Sequence, residues 1–217
     1  MADERGCSAI HLACEAGDEA VVLELLAANP SSASTRALCL APPPPYVATT
    51  HGWTPLHFAA ANGHPSIVSH LCNSADADYV NSSASGWTPL HVACYHGHLG
   101  CVQVLISRGA SVNEQRRNGK TALHIASKGG NIAYAEKDAL AMVTALLSAG
   151  ADARAQRDDG RTPLFYAVRS GSTSIVQHLL LISEYSAQEL SKALRCAKHN
   201  ELDSISELLQ QKGAVNN

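Results

Sequence analysis

The sequence predicts an all-α repeat solenoid in which stacked helix-turn-helix units are joined by turn or β-hairpin fingers. Three observations predict it. One six-residue device recurs, as Gly6-Cys7-Ser8-Ala9-Ile10-His11, Gly52-Trp53-Thr54-Pro55-Leu56-His57, Gly86-Trp87-Thr88-Pro89-Leu90-His91, Gly119-Lys120-Thr121-Ala122-Leu123-His124 and Gly160-Arg161-Thr162-Pro163-Leu164-Phe165. A second glycine follows each leading one at a constant interval of 11 residues, at Gly17, Gly63, Gly97, Gly130 and Gly171. Beyond each pair comes an apolar run at three-to-four spacing, the mark of an amphipathic helix.

Each element follows from local chemistry. In the first copy Ser8 starts a helix, Gly17 ends it, and Val21-Val22 with Leu25-Leu26 mark the second helix. Thr is a good N-cap and Pro suits the first helical position, so Thr54-Pro55, Thr88-Pro89 and Thr162-Pro163 each begin a helix that the second glycine stops about two turns later. Second helices are marked by Ile67-Val68 with Leu71, Cys101-Val102 with Leu105-Ile106, Met142-Val143 with Leu146-Leu147, and Ile175-Val176 with Leu179-Leu180. Polar stretches such as Val112 to Gly119 lead to the next copy and read as fingers. A sixth, degenerate copy begins at the capping box Ser186-Ala187-Gln188-Glu189, and its Lys198, Glu201 and Glu207 suit a terminal cap with one face in water.

These residues resemble the ankyrin repeat, a unit of about 33 residues carrying a Thr-Pro-Leu-His signature. The resemblance spans nearly the whole chain, read as a single domain with repeats near 4–36, 51–84, 85–117, 118–158, 159–185 and 186–217. Leading glycines are 46, 34, 33 and 41 residues apart, which places insertions near 37–50 and 132–141. The first insertion centres on Pro42-Pro43-Pro44-Pro45 and reads as a protruding loop with no strand to pair with, either a tolerated insertion or a docking motif for a proline-reading domain. In the second, Leu140, Val143 and Leu147 extend a helical stripe backward, so the second helix of the fourth copy should gain one to two turns.

Composition excludes several functions. Of 217 residues, 16 are Lys or Arg and 19 Asp or Glu, a net charge of −3 that argues against a nucleic-acid partner. No stretch approaches the roughly 18 apolar residues of a membrane span, and the opening is acidic, so we expect a soluble cytoplasmic protein, with the nucleus as second compartment. The 7 cysteines, never spaced CxxC, suit buried thiols in a reducing compartment and not a metal site. The Thr/Ser-x-x-His pair occurs at four equivalent places, so His11, His57, His91 and His124 brace helix starts and are not catalytic. Gly119-Lys120-Thr121 lacks a phosphate loop's earlier glycine, where Glu114 stands, and Asn81-Ser82-Ser83 is an inert glycosylation triplet. No cofactor and no enzymatic activity are expected.

What remains is a surface. The resemblance implies that partner contacts come from finger tips, from the residue after the leading glycine, and from the two residues before the second glycine. Carried onto this chain, the candidate protein-binding residues are Trp53, Trp87, Tyr95 and His96, then Arg116, Arg117, Lys120, Lys128, Arg157, Arg161 and Arg169. From Ala37 to Ser107 only Asp76 and Asp78 are ionised, and 7 of the 11 histidines lie there; from Arg108 to Arg169 there are 10 basic and 6 acidic residues. Either tryptophan reads equally as an interface anchor or as packing between fingers. The expected function is a non-enzymatic scaffold or adaptor, monomeric by itself, that binds an acidic segment of another protein on its concave face. The alternative is an amino-terminal regulatory or targeting array of a larger protein, an enzyme included, with Met1 as the natural start.

Overall fold

A helix start leaves backbone N–H groups unpaired, and this chain meets that need with a Thr–His pair where Thr–Glu is usual. The computed structural model describes residues 7–28, 37–38, 51–73, 77–129 and 136–214. In it the backbone N–H of Thr54, Thr88 and Thr121 donates to Nδ1 of His57, His91 and His124 at 3.2, 3.3 and 3.2 Å. Ser8 and His11 repeat the arrangement at 3.2 Å. None of the four imidazoles is more than 1% exposed, in keeping with a bracing role.

The chain divides into two compact units, residues 1–111 and 112–217. The first holds α1 (Ala9–Ala16), α2 (Glu19–Ala28), β1 (Ala37–Leu38), β2 (His51–Trp53), α3 (Pro55–Asn62), α4 (Pro65–Asn73), α5 (Ala77–Val80), α6 (Pro89–His96) and α7 (Leu99–Ser107). Here α3 packs on α1 and α6, and α4 packs on α2 and α7, which makes two helical layers. Leu56, Leu71, Leu90 and Leu105 are at most 1% exposed, each contributing about 1.5–3 kcal/mol of burial. The second unit holds α8 (Ala122–Ser127), α9 (Glu136–Ser148), α10 (Pro163–Ser170), α11 (Thr173–Ile182), α12 (Ala187–His199) and α13 (Asp203–Gln211). Again one layer runs α8–α10–α12 and the other α9–α11–α13.

Successive copies are clamped at recurring points. A Cβ on Gly63, whose φ is +76°, would stand 2.6 Å from the His98 ring, and His98 Nε2 is 2.9 Å from the Ala61 carbonyl. Glycine is therefore required twice over, by conformation and by space. Asn81 donates to the Gly109 carbonyl at 3.3 Å and accepts from Ser111 N–H at 2.7 Å. Asn113 does the same with Gly150 and Asp152 at 3.0 and 2.8 Å. The Asn81 amide of the glycosylation triplet is thus committed to the fold.

Some expectations need correction. α8 ends at Ser127, and Gly129 beyond it is left-handed, one residue before the expected Gly130, which lies outside the described residues. The stretch before the third copy contains α5, whose Tyr79 hydroxyl accepts the Leu56 N–H at 3.1 Å and so fills one helix-start vacancy. β1 pairs antiparallel with β2, Ala37 opposite Trp53 and Leu38 opposite His51, so the first insertion does have a backbone neighbour where it begins. Its proline run lies outside the described residues. Cys7 is disulfide-bonded, an exception to the all-thiol reading. Cys14, Cys94 and Cys101 are free, and burial pushes each thiol up to about 12. Other expectations hold. α9 runs 13 residues against 9 in α4 and α7, a gain of one turn. The Ser186–Glu189 capping box forms, with Ser186 N–H 2.7 Å from the Glu189 carboxylate.

Candidate functional site

In the first unit the candidate residues form an aromatic chain turned inward. Trp53 and Trp87 are 3% and 4% exposed. Trp53 stacks on His57 at 5.7 Å and meets Phe58 edge-on at 5.4 Å, while Trp87 meets Tyr95 edge-on at 5.2 Å. Both tryptophans are thus packed against neighbouring rings and offer little surface of their own. Tyr95 and His96 are half-buried, and the His96 ring stacks on His98 at 6.2 Å. Burial, followed by the neighbouring His98, holds the His96 pKa below its ordinary value. His96 therefore takes up a proton only below the pH of about 6.5 at which a free imidazole does. Three other histidines of this neutral stretch are also structural: His98 and His64 press on Gly63 and Gly17, and His70 meets Glu19 at 2.9 Å.

The second unit brings its cations together. In one finger Arg116 N–H donates to the Lys120 carbonyl at 2.8 Å, and Gly119 N–H returns to the Arg116 carbonyl at 2.8 Å. The next finger repeats this with Arg157, Arg161 and Gly160 at 3.0 and 2.8 Å. The two turns touch: a Cβ on Gly119, at φ +72°, would meet Arg157 Cα at 2.9 Å. Only glycine allows that approach, and it sets the cationic side chains next to one another.

Tyr166, 2% exposed, is the hub that the sequence reading missed. The Lys120 ammonium lies 5.0 Å and the Arg157 guanidinium 5.9 Å from its ring centroid, and Arg157 also donates to its hydroxyl. Arg157 further donates to the Asn118 carbonyl at 3.3 Å and pairs with Asp159 at 3.1 Å. Arg161 sits 4.8 Å over the Phe165 ring and 3.5 Å from the same carboxylate. Lys120 is half-buried, and its pKa falls to about 8 through burial first and then through Arg157, Lys128, Arg116 and Arg169. Arg117, Lys128 and Arg169 are exposed. Beneath the cluster, His124 Nε2 stands 3.1 Å from the Arg161 carbonyl, so that nitrogen carries the proton while Nδ1 accepts from Thr121. Burial holds its pKa down to about 4, with Lys120 and Arg157 adding and the Arg161 carbonyl acting the other way.

Helix pairs stacked in register, with Thr–His starts, left-handed glycine stops and turn fingers, are the features a family comparison weighs. A family model described as ankyrin repeats (3 copies) matches residues 1–83, 34–116, 74–137, 105–188 and 132–217. The chain belongs to the ankyrin-repeat family. Comparison with curated proteins gives no match. Ankyrin repeats generally mediate protein–protein interaction, and the family is typically non-enzymatic. Among the described residues no cluster of His, Cys, Asp or Glu could hold a metal ion, and no helix is long and apolar enough to cross a membrane.

Proposed function

We propose that this ankyrin protein is a non-enzymatic scaffold or adaptor. It takes an acidic segment of another protein on the finger and inner-helix face of its second unit. Arg116, Arg117, Lys120, Arg161 and Arg169 make the contacts. The observation that carries this reading is the setting of Lys120, a half-buried ammonium on which four other cations press. Like charges held this close cost folding energy, and an arriving carboxylate relieves that repulsion. Arginine adds planar, two-pronged hydrogen bonding to carboxylates, which favours an acidic partner over a neutral one.

The test compares the native protein with the triple variant Arg117→Glu, Lys120→Glu, Arg161→Glu. A partner captured by the native protein should associate at least tenfold more slowly with the variant. The native association rate should fall steeply as salt rises from about 50 to about 500 mM, because the Debye length shrinks over that range. A salt-independent association rate would overturn the reading.

A further inference from the structure

The basic surface continues beyond the fingers onto the last repeat. Phe165 and Arg169 stand four residues apart on α10, with Arg161 just before its N-cap, while Lys192, Arg195, Cys196 and His199 follow three-to-four spacing on α12. Each set therefore occupies one helical face. The two helices pack against each other, and the two faces line one groove of about 670 Å³. The single carboxylate in its lining, Asp159, is already shared between Arg157 and Arg161 at 3.1 and 3.5 Å. Arg169, Lys192 and Arg195 have no ion pair among the described residues. The cations converge: a Cβ on Gly160 would stand 3.2 Å from Lys192 Nζ, which puts that ammonium against the finger carrying Arg161. Phe165 holds the Arg161 guanidinium in place at 4.8 Å.

Four permanent cations around one committed carboxylate call for concentrated negative charge. A carboxylate brings one charge and two oxygens, whereas a phosphate monoester brings roughly −1.5 to −2 and three strong acceptor oxygens at a single point. Arginines bind such a group bidentately, and lysine meets it as a point charge. We propose that the groove between α10 and α12 receives a phosphorylated side chain of the partner protein, with Arg169, Lys192 and Arg195 as its ligands. This rests on the reading above that the partner presents an acidic segment, and it adds the anchor that selects among such segments.

The probe is a fluorescein-labelled peptide of alternating Asp and Gly around a central Ser, made unmodified and as phosphoserine, and read by fluorescence anisotropy. The phosphorylated form should bind at least tenfold more tightly. Lys192→Gln with Arg195→Gln should remove that tenfold advantage while changing affinity for the unmodified peptide less than twofold. Inorganic phosphate should displace the phosphopeptide from the native protein, a readout that needs no variant. Equal affinity for the two peptides overturns the groove proposal and leaves the acidic-segment reading standing; failure of both peptides to bind overturns the two together. A phosphate advantage lost in the finger triple variant but kept in the α12 double variant moves the site to the fingers and overturns the groove. Tighter association with phosphatidylserine vesicles than with the phosphopeptide overturns it in favour of a membrane surface.

Discussion

The residue after the leading glycine is filled in opposite ways in the two units. In the second and third copies, within the first unit, it is Trp53 or Trp87, at 3% and 4% exposure, sealed against histidine and aromatic rings. In the second unit it is Lys120, half-buried over Tyr166, or Arg161, whose side chain is 42% exposed over Phe165. The backbone around all four is similar, a finger turn followed by a threonine cap. The same position thus either closes the interior with a ring or keeps a charge at the surface, resting on a ring. What separates a sealed finger from a charged one is this side chain and not the fold.

The sharpest break to that contrast is Trp87→Ala. It should cost about 3–5 kcal/mol of unfolding free energy in a urea titration, whereas Lys120→Ala should stay within about 1 kcal/mol of the native protein. A Trp87→Ala protein of native stability that has lost its partner would return the tryptophan to the interface. The next effect is on pH. Because the folded-state pKa of His124 is lowered, the unfolded chain binds its proton first. Stability is then greatest above about 6.5 and declines as pH falls toward about 4, by up to roughly 3 kcal/mol from this residue. Thermal midpoints across that window should slope downward with acid, and His124→Gln should flatten the slope; an unchanged slope places the acid sensitivity elsewhere. The smallest effect sharpens the view of the last repeat. Glu201 holds a φ of +57°, a left-handed turn that copies one, two, three and five give to glycine. Glu201→Gly should raise unfolding free energy by about 0.5–1 kcal/mol, and calorimetry showing a loss would mean the Glu201 side chain contributes more than its strain costs.

The repeat architecture was legible because its signals recur. Threonine, proline and histidine at fixed offsets each have one local job, and Ser186–Glu189 does the same job with a carboxylate. Signals that appear once read less well. Gly129 and Gly130 are adjacent, and spacing alone did not pick out Gly129, which takes a left-handed turn. Exposure of the tryptophans depended on whether Phe58 and Tyr95 lay beside them, a tertiary fact that a single position does not encode. The cationic fingers were legible as charge, yet Tyr166, on which two of them rest, follows the one repeat position where histidine gives way to Phe165 and so fell outside the pattern. The stripe from Lys192 to His199 stayed hidden for a related reason: its helix begins in the degenerate copy, where no leading glycine marks the register.

The bracing imidazole has a directional consequence. His57 reaches forward to the Trp87 carbonyl at 3.0 Å and His124 to the Arg161 carbonyl at 3.1 Å, so each of these copies lends a proton to the finger that follows. Removing the later copy would strand a buried donor in the earlier one. Phe165 has no proton to lend, so the fifth copy makes no such demand on the sixth. Restoring histidine at position 165 would place a ring donor there that calls for an acceptor in the copy that follows.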